Sequence, residues 1–274
     1  MMSSLDASRI HEYLSERTSA RLDDLESFTS IDSTNSYLLL MAAPAPGRCR
    51  VAIAGEQTQG RGRHNRQWVS PPGSGLYLSI AYSFASMPGH LPGLTLALGV
   101  GVVEALARLE VSGASLKWPN DIVARDGKLG GILTEVQLGA SDRAAVVSGI
   151  GLNLDLPEAL DLGEASDWAH RPVDLKAITD EPPLREHLAG GIIEAIVETC
   201  IAYESDGFEP FSERWRKYDW LLGREITVDT PARQITGMAQ GVDDDGALLV
   251  ASGQGQMRIM SGSIVLSGAA GNSE

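Results

Sequence analysis

The chain has 274 residues, 43% of them hydrophobic, which is enough for a sizeable core and too many for a disordered protein. Lysine and arginine total 22 against 36 aspartates and glutamates, a formal charge of −14, which disfavours a general binder of nucleic acid or anionic membrane. The two cysteines, Cys49 and Cys200, lie far apart without a CxxC, and the five histidines are scattered; free thiols, no fixed metal site and a cytoplasmic protein are expected.

Residues 1–27 hold one weak amphipathic segment with Ile10, Tyr13 and Leu14 on one face, and no apolar run of the kind a signal peptide needs. Ser33 to Ala42 (STNSYLLLMA) predicts a helix entered through small polar caps. Arg50 to Gly55 and Gly75 to Tyr82 predict strands on either side of a glycine-rich loop. Leu94 to Leu109 is apolar but carries Glu104 and Arg108, and it predicts a buried helix rather than a membrane span. Ile122 to Arg125, Asp126-Gly127 and Lys128 to Val136 predict a hairpin with a two-residue type I′ turn, and Ala144 to Leu154 a further strand. Leu184 to Tyr203 predicts a long helix and Phe208 to Tyr218 a shorter one. Consecutive strands followed by helices suggest an α+β layout: a mixed, largely antiparallel sheet with helices on one side. Past Leu221 the texture changes to short strands between turn signals, which predicts a small barrel. The expected division is 1–220 and 221–274.

Four segments carry candidate chemistry. In Glu56 to Ser79, Arg61, Arg63 and Arg66 crowd one glycine-rich stretch. Arginine forks match phosphate or carboxylate oxygens, and Gly60 and Gly62 let backbone approach a ligand. The same stretch reads equally as a surface turn whose arginines pair with the many acidic side chains. It fits neither a Walker loop nor a dinucleotide GxGxxG. Trp68 is either a core anchor or an apolar wall beneath the loop. In Lys117 to Asp121 (KWPND), Pro119 pushes Trp118 to an extended conformation, so Asn120 and Asp121 fall at a strand end or turn. Lys128 follows the hairpin turn ahead of Gly130 and Gly131; it is either a solvated hairpin residue or a charge aimed at an anion. Gly149 and Gly151, with Asn153, sit where strand glycines weaken packing unless something must approach the backbone.

Taken in order, IDSTN (Ile31 to Asn35), EQTQGRGR (Glu56 to Arg63), GLYLSI (Gly75 to Ile80), KWPNDI (Lys117 to Ile122), KLGGILTE (Lys128 to Glu135) and GIGLNL (Gly149 to Leu154) closely resemble the biotin–protein ligase family, through most of residues 28–266. The resemblance implies a class II synthetase-like catalytic fold followed by an SH3-like barrel. It implies an enzyme that joins biotin and ATP, with Mg²⁺, to give biotinyl-5′-AMP and pyrophosphate. The biotin then passes to one lysine of an acceptor, the biotin carboxyl carrier protein of acetyl-CoA carboxylase. Ser33, Thr34, Asn35 and Gln57 match the segments at the ureido head of biotin. Gly60, Arg61, Gly62, Arg63 and Trp68 match the covering loop, and Lys128, Gly130 and Gly131 the site of the biotin carboxylate. Arg63, Arg66, Lys128, Asn120, Asn153 and Trp168 are the implied adenylate contacts. Lys128 and Arg63 are the implied catalytic groups, and Asp121 is the third candidate, either orienting the acceptor lysine or receiving its proton, or else structural.

Two departures stand out. Asn65 occupies a loop position where the family usually has glycine, and asparagine tolerates positive φ better than most residues. The ending SGSIVLSG lacks an arginine that some relatives carry after the last strand. Too few residues precede IDSTN for the winged helix of the repressor-type relatives, so no operator binding is expected. The family contains both monomers and homodimers. A lipoyl or octanoyl transferase and a non-catalytic biotin-binding protein are the alternatives.

Overall fold

The computed structural model describes residues 5–138, 144–158 and 172–266. The elements are α1 (Ala7–His11), α2 (Glu16–Ser19), β1 (Leu22–Phe28), α3 (Thr34–Leu40), β2 (Cys49–Ala54), β3 (Gly75–Ser83), α4 (Leu91–Arg108), β4 (Ser115–Lys117), β5 (Asp121–Ala124), β6 (Gly127–Leu138), β7 (Ala144–Asn153), α5 (Arg185–Asp206), α6 (Glu209–Tyr218), β8 (Glu225–Asp229), β9 (Gln234–Val242), β10 (Leu248–Ser252), β11 (Gly255–Ile259) and β12 (Ser263–Leu266).

The first seven strands form one sheet in the order β1-β2-β3-β7-β6-β5-β4. Only the β1–β2 pairing is parallel. The alternation of each strand splits its side chains between two faces. Val51, Ile53, Leu78, Ile80, Ile150 and Leu152 face the main core with α4 and α5. The apolar run read as a buried helix is α4, long and apolar enough by composition to cross a membrane but packed here inside the core. Gly101 lets α5 close on it, because a Cβ there would stand 2.5 Å from Thr199 Oγ1.

Helices do not keep to one side, as the sequence suggests. Ala52, Ala81 and Val147 point the other way and pack against Leu38 of α3. α3 covers only part of that face, and the uncovered remainder becomes the floor of the candidate site. Residues 1–27 also hold more than one helical segment, because Leu22–Phe28 is the edge strand β1. The hairpin turn is a two-residue loop, but its left-handed pair is Arg125 and Asp126, with φ of 46° and 58°, and Gly127 already pairs with Ala124. Asp126 Oδ1 also accepts a hydrogen bond from Trp220 Nε1 at 3.2 Å.

The last five strands form a separate antiparallel sheet, β11-β10-β9-β8-β12. It is docked rather than tethered. Ile226, Val228, Leu248 and Val250 belong to the same apolar cluster as α4. Trp118, 1% exposed, donates from Nε1 to the Gly246 carbonyl at 3.1 Å.

Candidate active site

A cavity of about 460 Å³ lies on the face of β3, β7 and β6 that α3 leaves open. It is bounded by the start of α3, the loop between β2 and β3, the KWPND turn and the inner edge of the C-terminal sheet.

One end is a neutral polar pocket. Ser33 caps α3, its Oγ accepting from the Ser36 amide at 3.4 Å. That cap turns Thr34 and Asn35 toward the sheet, where both are buried. The Thr34 amide donates to Gln57 Oε1 at 2.9 Å, and Thr34 Oγ1 lies 2.6 Å from Ser79 Oγ. Ser79 Oγ donates to Asn35 Oδ1 at 2.6 Å. Gln57 in turn donates to Ser70 Oγ at 3.2 Å. Gly149 forms the floor, since a Cβ there would overlap Asn35.

The other end is cationic. Lys128 Nζ sits 2.7 Å from Asp121 Oδ1 and 5.2 Å from the centre of the Trp68 ring. Lys117 lies opposite Asp121 in the β4–β5 register and is 4% exposed. Burial holds its ammonium below the usual lysine range, with Asp121 opposing the shift and Lys128 adding to it. Arg63 donates from Nη1 to Asn120 Oδ1 at 3.3 Å. Its pKa is likewise lowered, first by desolvation; a guanidinium stays charged regardless. Three cations thus surround one carboxylate, and the surplus positive charge suits an incoming anion.

The two ends are joined along the strands. Asn35 lies over Gly149, Trp68 over Gly151, and Asn153 donates from Nδ2 to the carbonyls of Lys128 and Val173 at 3.1 and 3.0 Å. At a rise of about 3.3 Å per residue, positions 149 to 153 span about 13 Å. A Cβ on Gly151 would stand 2.6 Å from the Trp68 ring, so this glycine is what lets tryptophan form a wall against β7.

The Arg/Gly loop arches over the cavity. His64 and Asn65 both take left-handed backbone, φ 55° and 59°, so the asparagine adopts the conformation that glycine would. His64 lines the cavity, and desolvation, then Arg63 and Arg66, lowers its pKa, leaving it neutral at pH 7.

Of the residues singled out from sequence, Ser33, Thr34, Asn35, Gln57, Arg61, Gly62, Arg63, Arg66, Trp68, Asn120, Asp121, Lys128, Gly131 and Asn153 line this one cavity. Gly60 and Gly130 do not. A Cβ on Gly60 would stand 2.9 Å from Ser70 Oγ, and one on Gly130 would stand 2.5 Å from Leu152 Cδ2, so both glycines relieve packing behind the wall. Trp168 lies outside the described residues. Lys117, Ser79 and His64 line the cavity but were not singled out as site residues. The C-terminal sheet also reaches it through Asp229 and Gly262, Ser263, Ile264 and Val265, despite the missing arginine.

Residues 27–153 match the biotin/lipoate A/B protein ligase family, and residues 221–267 match the biotin protein ligase C-terminal domain. The chain is 33% identical over 249 residues to the bifunctional ligase/repressor BirA of Salmonella typhimurium, covering 90% of this chain and 73% of that protein. It is 31% identical over 240 residues to the biotin–[acetyl-CoA-carboxylase] ligase of Mycobacterium tuberculosis, covering 85% of each. Among solved structures, biotin protein ligase from Aquifex aeolicus in complex with biotin and ATP superposes with a TM-score of 0.74 at 28% identity, covering 89% of this chain and 97% of that one. Motif order, fold and sequence identity agree: this chain belongs to the biotin protein ligases of the biotin/lipoate A/B protein ligase family.

Proposed function

We propose that this protein is a biotin–[biotin carboxyl carrier protein] ligase. It activates biotin with ATP as biotinyl-5′-AMP and transfers biotin to one lysine of a carrier acceptor. The observation that carries this reading is the place of Lys128, held 2.7 Å from Asp121 over Trp68, at the cationic end of a cavity whose other end is a neutral hydrogen-bonding pocket.

The neutral pocket suits a cyclic urea, which offers N–H donors and one carbonyl acceptor. The Trp68 wall suits an apolar chain. The carboxylate then falls near Lys128. In the first step a biotin carboxylate oxygen attacks the α-phosphorus of ATP, the bond to the bridging oxygen breaks, and pyrophosphate leaves. Two anions must meet, and Lys128, Lys117 and Arg63 offset that repulsion and stabilise the charge that builds on the phosphoryl oxygens. In the second step the neutral acceptor amine attacks the carbonyl carbon of the mixed anhydride, and AMP leaves. Asp121 orients Lys128 and is the candidate to orient the amine or take its proton. The closed loop shields the anhydride from water.

Among the described residues no group of three histidine, cysteine or acidic side chains converges on a metal. Mg²⁺ is proposed to arrive on the triphosphate, where it would screen the phosphate charge. Asn153 is read as holding the Lys128 backbone on the nucleotide side, with Trp168 in the same region of sequence. We further propose that the chain divides at about residue 220, that it is cytoplasmic, and that it binds no operator DNA.

The test is incorporation of labelled biotin into a carrier domain with ATP and Mg²⁺, beside a lipoate control. Biotin-specific, ATP-dependent transfer is expected. Lys128→Ala should lower pyrophosphate release by about a hundredfold or more, with biotin binding retained. Tight biotin binding without pyrophosphate release by the wild type would favour a binding protein instead.

A further inference from the structure

Glu135 stands where the head-group pocket and the loop meet. It lies on β6 opposite Val147, and its side chain is 22% exposed. Its Oε1 accepts from Arg61 Nη2 at 2.7 Å, and its Oε2 accepts from Asn35 Nδ2 at 2.9 Å. One carboxylate therefore grips both a loop arginine and an amide buried at the pocket floor.

Proton counting shows what this grip decides. An ionised carboxylate only accepts hydrogen bonds, so the Asn35 amide must turn its Nδ2 toward Glu135. Nδ2 also faces the Leu133 carbonyl at 3.3 Å, a second acceptor. The Asn35 Oδ1 is then forced to the opposite side, over Gly149, where Ser79 Oγ donates to it at 2.6 Å. Ser79 has one hydroxyl proton and uses it there. The 2.6 Å contact between Ser79 and Thr34 must then be a donation from Thr34. Thr34 Oγ1 also lies 3.1 Å from Gln57 Oε1, but its one proton goes to Ser79, and Gln57 Oε1 is met by the Thr34 amide at 2.9 Å. Every hydrogen bond in the row Thr34, Ser79, Asn35 points toward Glu135.

We propose that Glu135 is a positioning residue with two linked effects. It fixes the polarity of the pocket, so that Asn35 Oδ1 is presented as an acceptor for an N–H of a cyclic urea. It also latches the Arg/Gly loop through Arg61, tying loop closure to the same pocket. This rests on the biotin ligase reading and adds to it the residue that orders the head-group site. With glutamine at 135 the row loses its direction. Glutamine donates as well as accepts, so the Asn35 amide can flip and the two hydroxyl protons can run the other way, losing only the longer 3.3 Å contact with the Leu133 carbonyl.

The test uses the full chain with Glu135→Gln, Arg61→Ala and the double variant. Biotin binding is titrated without ATP, and the release rate of preformed biotinyl-5′-AMP is followed separately. Glu135→Gln should weaken biotin binding about tenfold and raise its KM to match, with kcat and the KM for ATP within threefold. It should also speed adenylate release at least fivefold. Arg61→Ala should speed release to the same extent, and the double variant should release no faster than twice the faster single one, because the two residues share one contact. A purely structural role would instead lower Tm and degrade every parameter together. Biotin binding by Glu135→Gln within twofold of wild type, or release effects that multiply in the double variant, would overturn the proposal. Should Glu135→Gln not fold, Arg61→Ala alone decides the latch, and release within twofold of wild type overturns it. A wild-type chain that binds biotin but forms no adenylate defeats the ligase reading instead.

Discussion

Replacing Gly149 by alanine tests the head-group pocket with a single methyl. Gly149 lies within β7, and its φ is not in the left-handed region, so the backbone accepts alanine and the effect is steric. The methyl would overlap Asn35 Oδ1 and stand 2.9 Å from Asn35 Cγ. Carbon atoms normally meet at about 3.5–4.0 Å, so the amide must move by half an ångström or more. It has little room. Asn35 is 4% exposed and is bonded to Ser79 at 2.6 Å and Glu135 at 2.9 Å. Displacing it breaks the Ser79 bond and misplaces the acceptor that biotin meets. The Ser79 bond is lost with or without ligand and so lowers stability, whereas the misplaced bond to biotin, about 1–1.5 kcal/mol, makes about 5–12-fold in biotin affinity. Crowding costs about 1–3 kcal/mol of stability, partly offset by about 0.4–1 kcal/mol from a stiffer unfolded chain. The assay is calorimetric titration of biotin without ATP, with a thermal melt of the same sample. Gly89→Ala is the control, because nothing lies within 4 Å of its added Cβ. A folded Gly149→Ala protein that binds biotin within threefold of wild type would refute the assignment of Asn35 to the pocket.

Lys117→Met should stabilise the ligand-free protein at pH 7 while slowing pyrophosphate release at least tenfold. Burial lowers the Lys117 pKa, so the folded state resists a proton that the unfolded state binds. That penalty is full below the folded pKa and fades as pH rises toward the ordinary 10.5, so the gain should shrink between pH 7 and pH 10 in urea unfolding. A variant less stable than wild type at pH 7 would contradict this. Trp118→Phe removes the donor to Gly246 at 3.1 Å and leaves that buried carbonyl short of a partner. A loss of about 1–3 kcal/mol is expected, read as a lower Tm by scanning calorimetry. An unchanged Tm would show that this bond does not hold the C-terminal sheet in place.

Local chemistry was legible where neighbours along the chain decide it. Ser33 caps α3 because a small hydroxyl there reaches the first-turn amides, and IDSTN carries that pattern. Asn65 takes positive φ as its side chain allows. The KWPND and KLGGIL segments were recognisable from their order. The strand β1 was not, because Leu22–Phe28 (LDDLESF) has no clean alternation and is held by parallel pairing with β2 across an intervening helix.

The sequence by itself determined the polar and cationic residue types that line the cavity, and the strands and caps that carry them. Tertiary structure alone decided which of those groups meet. Ser79 joins Asn35 across 44 positions and Glu135 joins it across 100, so no local pattern could show a directed row of hydrogen bonds. The KWPND turn brings Lys117, Trp118 and Asp121 to the cavity while the Trp118 N–H reaches Gly246, a contact that depends on where the C-terminal sheet docks. The hairpin turn falls one residue earlier, at Arg125 and Asp126, and α3 chose the face that the other helices leave open. The physical reason is common to all of these. Propensities and caps act over a few neighbouring residues, whereas burial and hydrogen-bond pairing are satisfied only when distant segments close on one another.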